Sequence, residues 1–459
     1  MEEGLICTPK TDVIENISES IKCSSYIDLA LFDQFNVKRG LRNADHSGVL
    51  VGLTNIGEVV GYQKEGELLI PVEGELYYRG ISVNDLVRGI QQSGRYGFDE
   101  VAFLLLTGRL PTRSELEGFE NHLADNRELN RDVVNSFILS LKGSNMMNVL
   151  ARTVLGLYTL DTCGDDTSHT NLVRQSLELI AKVPAIIVYA YFSMRHKYHR
   201  DSLIMRYPQP GLSTAENFLY MLKGEEYTPL EAELLDLALI LHAEHGGGNN
   251  SSFTIRVTSS SGTDTYSAIA SALASLKGPL HGGANLEAQD MMDHIKANIS
   301  DWDDEAEIRA YIANILRKEA YDGTGKVYGI GHAIYTLSDP RAVLLKERAR
   351  ELAKAKGREA EFRLFEHIER LTPEVFSEIK GNKKVLCANV DFYSGFVYTS
   401  IGIPKELYTA LFAMARIAGW CAHRIEELNF TARRIIRPAY RNVFGRRSYI
   451  AIDKRGSTV

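Results

Sequence analysis

Residues 404–429, with the sequence PKELYTALFAMARIAGWCAHRIEELN, show the apolar spacing of an α-helix. The same spacing, near 3.6 residues, recurs along most of the chain from about residue 82 onward. An alternating strand pattern is almost absent, so the sequence predicts a mainly helical, all-α fold. The other predicted helical stretches are 83–87, 101–106, 116–123, 132–142, 146–160, 171–195, 213–223, 229–244, 264–277, 284–297, 303–318, 340–356, 358–370 and 373–380.

Short β-prone runs interrupt this pattern near the N-terminus. They lie between residues 49 and 78 with glycines between them, at Val49–Val51, Glu58–Tyr62 and Leu68–Ile70. Short runs of this kind, bounded by glycine, are typical of strands. The fold prediction is therefore all-α with a small antiparallel β element near the N-terminus.

Two breaks in the helical pattern predict the domain organisation. Lys277–Gly283 ends a helix with a Gly-Pro pair followed by two more glycines, and Gly381–Lys384 is a second break. The segment between them is richer in charge, so the chain is expected to leave a large domain and return to it. The expected parts are a helical N-terminal leader (1–48), the first part of a large helical domain (49–280), a small domain (281–387), and a return to the large domain with a C-terminal arm (388–459).

The composition restricts the class of protein. The 459 residues are 44% apolar and 24% charged, which is ordinary for a soluble globular enzyme. The net charge of −7 argues against a general nucleic-acid binder. Asp236 and Arg416 interrupt the longest apolar stretches, so no membrane span is expected.

The cysteines and the N-terminus predict the compartment. Five cysteines are an odd number, and no CxxC pair occurs, so neither a disulfide framework nor a structural zinc site is expected. A reducing compartment follows. Because the first residues lack the pattern of a signal or transit peptide, the expected location is the cytoplasm.

Three histidines beside glycine clusters are candidate active-site residues. They are His245 in AEHGGGN, His281 in PLHGGAN and His332 in GIGHAI. Glycine lets a backbone approach a ligand closely or adopt a positive φ. His281 also falls where one helix stops and the next starts, and the positive end of a helix dipole disfavours an imidazolium. A neutral imidazole can donate one N–H to a carbonyl oxygen as enolate charge develops, and the alternative is an N-capping histidine without a catalytic role.

Asp391 and three arginines complete the candidate set. Asp391 lies among apolar and aromatic residues in NVDFYSG, which suits a general base, although a helix N-cap is the commoner use of such an aspartate. Arg341 follows an Asp-Pro pair, and Arg416 interrupts an apolar helix, where a guanidinium needs a structural or a substrate carboxylate. Arg437 lies in segment 431–459, which has seven Arg and one Lys against one Asp, and whose interleaved apolar residues favour an arm that presents arginines to an anion.

Familiar cofactor and metal motifs are missing or broken. No GxxxxGK[ST] phosphate loop occurs, and Gly323–Gly329 misses the spacing of a dinucleotide-binding loop. His242 and His245 are close enough to share a helix face as metal ligands, but the HExxH order is absent. We therefore expect no bound metal and no cofactor, and the alternative from another class is a metal-dependent hydrolase built on these two histidines and His281.

The candidates and their order resemble the citrate synthase family. His245 and His281 are 36 residues apart, His281 and His332 are 51 apart, and the resemblance covers about residues 50–445. Several motifs in the right order make the resemblance specific. The motifs are GIGH (329–332), DPR (339–341), YYRGI (77–81) and LLLTGRLPT (104–112).

The resemblance implies a transferase of the tricarboxylic acid cycle that binds acetyl-CoA and oxaloacetate in a cleft between two helical domains. The reaction would be condensation of the two substrates, followed by hydrolysis of the citryl thioester. Asp391 would then be the general base, His281 would donate a hydrogen bond to the thioester oxygen, and His332 would polarise the ketone of oxaloacetate. Oxaloacetate or citrate would be held by His245, Arg341, Arg416 and Arg437.

The resemblance also implies a CoA site and an oligomer. CoA would contact the small-domain loop, largely through its backbone, at Lys326, Val327, Tyr328, Gly329 and Gly331. In the family, the arginine that matches Arg437 comes from the neighbouring subunit, which implies a homodimer or a higher homo-oligomer. No nucleic-acid or membrane partner is implied.

Two departures from the family pattern affect subfamily assignment. Gly246 stands where many relatives carry an acidic or polar residue, and Ala333 stands where many bacterial members carry arginine. Neither departure removes a catalytic group. The same machinery with propionyl-CoA would make the chain a 2-methylcitrate synthase, which is the alternative within the family.

Overall fold

The computed structural model describes residues 12–43, 45, 47–66, 68–381 and 385–455. The chain divides into two compact units, Met1–Leu53 and Thr54–Val459. Residues 1–11 of the predicted leader and residues 382–384 of the second predicted break lie outside the described residues.

The described residues of the N-terminal unit form two short helices and one turn. Helix α1 spans Asp12–Ser24, α2 spans Ala30–Gln34, and a 3-10 turn covers Arg39–Leu41. The apolar positions that predicted a helix here are exposed in α1: Val13, Ile14, Ile17 and Ile21.

A three-stranded antiparallel sheet opens the second unit. Strands β1 (Gly57–Glu65), β2 (Leu68–Tyr78) and β3 (Ile81–Ser82) are hydrogen-bonded in that order, with an irregularity in β1 after Val60. The strand predicted at Val49–Val51 was wrong, because this segment pairs with no neighbouring strand and buries no face: Leu50 is 87% exposed.

Helices make up the rest of the unit. The first group is α3 (Val83–Gln92), α4 (Phe98–Thr107), α5 (Arg113–Asp125), α6 (Arg131–Val133), α7 (Met146–Leu157), α8 (His169–Met194), α9 (Thr214–Lys223) and α10 (Pro229–His242). The second group is α11 (Asn250–Ser260), α12 (Thr265–Lys277), α13 (Ala284–Asn298), α14 (Glu305–Leu316), α15 (Pro340–Lys356), α16 (Glu359–Lys380), α17 (Val390–Ser400) and α18 (Tyr408–Leu428). Shorter π and 3-10 turns cover Val134–Leu139, Tyr158–Leu160, Arg195–His199, Lys405–Leu407 and Ile452–Lys454.

Proline does not end every helix in this fold. The stretches predicted at 358–370 and 373–380 form one helix, α16, that continues through Pro373. Leu371 and Val375 on either side of the proline are buried, so packing of the apolar face outweighs the lost backbone hydrogen bond.

One helical stretch in the described part of the chain is long and apolar enough to cross a membrane. It is His169–His199, and 72% of its apolar stretch is buried inside the fold. Such burial is common for a core helix. Pro184 lies within it and is itself buried.

Helix α18 lies at the centre of the second unit. It packs against α4, α8, α10, α11 and α12, and its Trp420, Arg416 and Arg424 are among the largest fully buried side chains. Residues 416, 419, 420 and 423 follow the i, i+3, i+4, i+7 spacing and therefore share one helical face. This face supports the candidate site described next.

Candidate active site

The first turn of α11 holds His281 in place. The backbone N–H of Ser251 donates to Nε2 of His281 at 3.3 Å, and the Ser251 hydroxyl lies 2.9 Å from the same nitrogen. Trp420 of α18 donates its indole N–H to that hydroxyl at 3.2 Å. The imidazole is therefore fixed by a helix N-terminus and by the central helix.

These contacts set the tautomer of His281. A backbone amide can only donate, so Nε2 must accept and the ring proton lies on Nδ1. Burial lowers the pKa of His281 to about 4, and the positive charge of Arg416 acts in the same direction. His281 is consequently neutral near pH 7 and presents an N–H from Nδ1. It does not cap α13, whose N-cap is Gly283.

His332 has the opposite tautomer. The backbone N–H groups of Ile334 and Tyr335 donate to its Nδ1 at 3.1 and 3.0 Å. The ring proton is therefore on Nε2. The Tyr335 ring stacks on the imidazole at a centroid distance of 4.7 Å, which fixes the plane of the ring.

His245 lies against the same two rings. Its centroid is 5.2 Å from that of His332 and 5.5 Å from that of Tyr335, both edge-on. Burial, and then the charge of Arg341, lower the pKa of His245 well below its ordinary value, so it is neutral. Its Nε2 is buried without a hydrogen-bond partner in the described chain, as expected for an atom that faces a ligand.

Asp391 lies in the first turn of α17, but it is not the cap. Asn389 is the N-cap and accepts the Asp391 backbone N–H at 3.0 Å, so the cap interpretation of Asp391 was wrong. The carboxyl group is thereby left for other chemistry. Burial raises the pKa of Asp391 to about 6, and Arg341 partly opposes this rise. Such a pKa suits a general base near neutral pH.

Strand-like pairing joins the His332 loop to the start of α17. Gly331 N–H donates to the carbonyl of Cys387 at 2.7 Å, and Asn389 N–H donates to the carbonyl of Gly329 at 2.9 Å. Gly329 has φ +82°, and a Cβ there would lie 2.9 Å from that of Phe392. Only glycine allows this approach, and it places His332 and Asp391 on connected backbone.

The two buried candidate arginines, Arg341 and Arg416, differ in their hydrogen-bond partners. Arg341 donates from Nε and Nη2 to both oxygens of Asp339, at 3.0 and 2.7 Å, so a structural carboxylate already engages it. Arg416 donates from Nε to the carbonyl of His242 at 2.6 Å. Its Nη1 and Nη2 are buried without a hydrogen-bond partner in the described residues. Burial lowers the pKa of Arg416 to about 10, and Glu244 opposes this shift, so the group stays charged.

Arg416 is the common neighbour of the candidate site. Its charge acts on the pKa of His245, His281 and Asp391, and the charge of Arg341 in turn lowers the pKa of Arg416. Two open donors on a buried cation, beside neutral imidazoles and one carboxyl group, form a receptor for a small carboxylate.

The comparisons with known proteins identify the family of this chain. The family model described as "Citrate synthase, C-terminal domain" matches residues 45–439. The chain belongs to the citrate synthase family. A citrate synthase of Deinococcus radiodurans is 37% identical over 354 residues, which are 77% of this chain and 86% of the relative.

Other members of the family extend the comparison. A 2-methylcitrate synthase of Shewanella oneidensis is 32% identical over 381 residues, covering 82% of this chain and 92% of the relative. The solved ternary complex of carboxymethyl coenzyme A and oxaloacetate with citrate synthase from Thermoplasma acidophilum matches with a TM-score of 0.73. It is 29% identical and covers 91% of this chain and 99% of that chain. The predicted family, fold class and transferase activity are confirmed, and citrate synthesis is favoured over a metal-dependent hydrolase.

The histidine on which the hydrolase alternative depended has a packing role. His242 donates from Nδ1 to the carbonyl of Ala238 at 2.6 Å, and its ring packs edge-on against Phe412 at 4.7 Å. Among the residues that the structure covers, no three His, Cys, Asp or Glu side chains are grouped as metal ligands.

The loop predicted for CoA has one exposed edge and one buried edge. Lys326 is exposed and Val327 is buried, while Tyr328 donates its hydroxyl to Asp322 at 2.6 Å. Gly329 and Gly331 have positive φ values, and as glycines they have no side chain of their own to cover the backbone. The loop leads directly to His332.

Arg437 is not brought to the other candidates within this chain. It is exposed in the extended segment after α18, and within the described chain no hydrogen bond or ion pair joins it to them. In the same segment, Ile436 N–H donates to Ser260 at 3.0 Å.

Sequence analysis missed the residues that hold the site together. Ser251, Trp420, Tyr335 and Asp339 orient the candidates, yet each looks ordinary in sequence. For Asp339 a signal existed, because an Asp-Pro-Arg run places the carboxylate at a helix N-cap two residues before the guanidinium. For Ser251 and Trp420 no local signal existed, because their partners are distant in sequence.

The tautomer of His281 is directly measurable. We expect its Nδ1 to be protonated and its Nε2 unprotonated from about pH 6 to 8, because its pKa is lowered to about 4. Nitrogen-15 NMR of imidazole-labelled protein, assigned with the His281→Gln variant, checks this. Ser251→Ala keeps the backbone donor and should keep the tautomer. An imidazolium, or a proton on Nε2, at neutral pH would contradict the assignment.

Proposed function

We propose that this chain makes citrate from acetyl-CoA and oxaloacetate with Asp391, His281 and His332 as its catalytic groups. One observation supports these roles most strongly: His281 and His332 have opposite tautomers, Asp391 has a raised pKa, and the charge of the buried Arg416, which has open donors, acts on the pKa of both His281 and Asp391. Proton abstraction next to a thioester needs a base and a donor to the developing enolate oxygen, and this set contains both.

The proposed first step is formation of the nucleophile. The Asp391 carboxylate takes a proton from the acetyl methyl group, and the N–H on Nδ1 of His281 donates to the thioester oxygen as charge develops there. Because His281 is neutral, it stabilises the enolate by donating a hydrogen bond and carries no positive charge that it would first have to lose.

The second step forms the carbon–carbon bond. The enol carbon attacks the ketone carbon of oxaloacetate while the N–H on Nε2 of His332 polarises the ketone oxygen and helps to protonate the alkoxide. Water then cleaves the citryl thioester to give citrate and the CoA thiol. Arg416 and His245, together with Arg341 through donors beyond its Asp339 pair, bind the oxaloacetate carboxylates.

The remaining assignments belong to the same proposal. Residues 281–387 form the small domain on the CoA side of the cleft, with CoA against the backbone of 326–331. The reaction needs no metal or cofactor, takes place in the cytoplasm, and serves the tricarboxylic acid cycle. The protein acts as a homodimer or larger oligomer, in which Arg437 completes the site of the neighbouring subunit.

Release of the CoA thiol tests the reaction. We expect release from acetyl-CoA only when oxaloacetate is present, and faster than from propionyl-CoA, in a thiol-reactive dye assay. Faster release from propionyl-CoA would make the protein a 2-methylcitrate synthase with the same residues in the same roles. Release that ignores the keto acid and stops with a chelator would contradict the proposal.

Asp391 should govern the acidic limb of the pH profile. Its pKa is raised to about 6, so below that pH the group is protonated and cannot accept the methyl proton. We expect kcat/KM for acetyl-CoA to fall as the pH drops below about 6, and Asp391→Asn to lower kcat by about 10²- to 10⁴-fold. Steady-state rates from acid to neutral pH measure both. An unchanged acidic limb in the residual activity of Asp391→Asn would show that another group is the base.

Hybrid oligomers test the place of Arg437. Neither Arg437→Ala nor His281→Ala should be active alone, but a mixed dimer would contain one site with both native residues. After subunit exchange we expect recovery of up to about a quarter of wild-type activity. Exchange is verified by mass spectrometry of differently tagged chains. No recovery in proven hybrids would place Arg437 outside the neighbouring site.

A further inference from the structure

A second buried carboxylate lies close to the open arginine and yet does not pair with it. Glu244 is fully buried, its Oε2 has no hydrogen-bond partner among the described residues, and its charge is the strongest influence that opposes the lowered pKa of Arg416. Opposite charges attract strongly in a low-dielectric interior. A direct ion pair would satisfy the unpartnered atoms of both groups, so some restraint keeps them apart.

His423 binds the other oxygen of Glu244. Its Nε2 lies 3.0 Å from Oε1 of Glu244, and its Nδ1 lies 3.1 Å from Nη1 of Arg256. A guanidinium can only donate, so Nδ1 accepts and Nε2 carries the proton that binds Glu244. The histidine thus bridges a buried cation and a buried anion.

The far end of this bridge is anchored in turn. Arg256 Nη1 donates to Glu426 at 2.7 Å, and Arg256 Nη2 lies 3.4 Å from Glu427. Glu426 also accepts the Asn55 backbone N–H at 2.7 Å and the Thr54 hydroxyl at 2.8 Å. Because Glu426 and Glu427 lie in the last turn of α18, the array cannot move independently of that helix.

Packing confines the carboxylate as well. A Cβ at Gly57 would lie 2.9 Å from Cγ of Glu244, and a Cβ at Gly419 would overlap with Oε2 of Glu244. Gly419 is one helical turn beyond Arg416 on the same face of α18. The carboxylate therefore lies in a slot against bare helix backbone, next to the guanidinium.

We propose that Glu244 is the counter-charge of Arg416 in the empty site and that His423 is a positioning residue that prevents the two from forming an ion pair. Held in this way, Glu244 offsets the buried positive charge while Nη1 and Nη2 of Arg416 stay open for a substrate carboxylate. This inference rests on the proposed function, in which Arg416 binds oxaloacetate.

Loss of the restraint should weaken oxaloacetate binding without damaging the chemistry. A released Glu244 would compete with oxaloacetate for Arg416, and an internal pair populated nine-tenths of the time would raise the apparent Kd about tenfold. The catalytic groups touch neither His423 nor Arg256 in the described structure, so kcat should change little.

Two polar substitutions of similar size separate the contacts of His423. Gln can place its amide nitrogen near the position of Nε2 and keep the contact with Glu244, whereas Asn reaches only the position of Nδ1 and keeps the contact with Arg256. We expect His423→Asn to raise KM for oxaloacetate about tenfold with kcat within about threefold, and His423→Gln to stay near wild type. Equal effects of the two variants, or loss of kcat at unchanged KM, would overturn the proposal.

A second-site change distinguishes competition from simple damage. In the His423→Asn background, Glu244→Gln replaces the competing anion with a neutral amide and should restore much of the oxaloacetate affinity. A merely structural role predicts that the two losses add. Calorimetric titration with oxaloacetate alone measures the affinities, so it is informative even where turnover is absent, and thermal melting verifies folding.

If His423→Asn fails to fold, Glu244→Gln alone still tests whether Glu244 is the counter-charge of Arg416. Without its counter-charge the empty protein should melt at a lower temperature, and saturating oxaloacetate should raise that temperature by more than it does in wild type. An equal or smaller rise would overturn the proposal. If wild type binds oxaloacetate but releases no CoA thiol, the proposed function fails and the Glu244 inference is still tested.

Discussion

The buried guanidinium of Arg416 is the constraint on which the site depends. A cation in the middle of a core helix is costly unless an anion accompanies it, and the carboxylates of Glu244 and Asp391 oppose the effect of burial on the pKa of Arg416. His245 and His281 stay unprotonated because burial and the arginine charges act in the same direction. Burial is the larger cause, and the charge of Arg416 adds to it in keeping both imidazoles neutral.

Backbone amides, rather than side chains, determine the tautomers of the two candidate histidines, His281 and His332. The Ser251 N–H at the start of α11 places the proton of His281 on Nδ1, and the N–H groups of Ile334 and Tyr335 place that of His332 on Nε2. A backbone donor cannot reverse its role, so neither imidazole can exchange its tautomer while these contacts persist. The two histidines therefore donate from different ring nitrogens, Nδ1 in His281 and Nε2 in His332.

The helical fold and the main candidates could be predicted from sequence because their signals are local. Apolar spacing marked α18, and glycines marked His281 and His332 because the backbone there needs positive φ or close approach. The role of Asp391 was ambiguous between cap and base, and it depended on a hydrogen bond from its own amide to Asn389. The bridge through His423 could not be predicted, since its partners lie more than 160 residues away in sequence.

The charges of Arg341 and Arg416 are balanced in different ways. This difference explains how one site can bind a substrate with two carboxylates and still keep its structure when it is empty. Arg341 carries its own carboxylate, Asp339, with both oxygens engaged, so its charge is balanced with or without a ligand. In the described chain, Nη1 and Nη2 of Arg416 have no hydrogen-bond partner, and Glu244 and Asp391 oppose the effect of burial on its pKa without forming an ion pair with it. In the proposed mechanism a substrate carboxylate would therefore gain most from Arg416, because hydrogen bonds made to its open donors replace none that the protein already had. Arg341, already paired, would contribute mainly its charge.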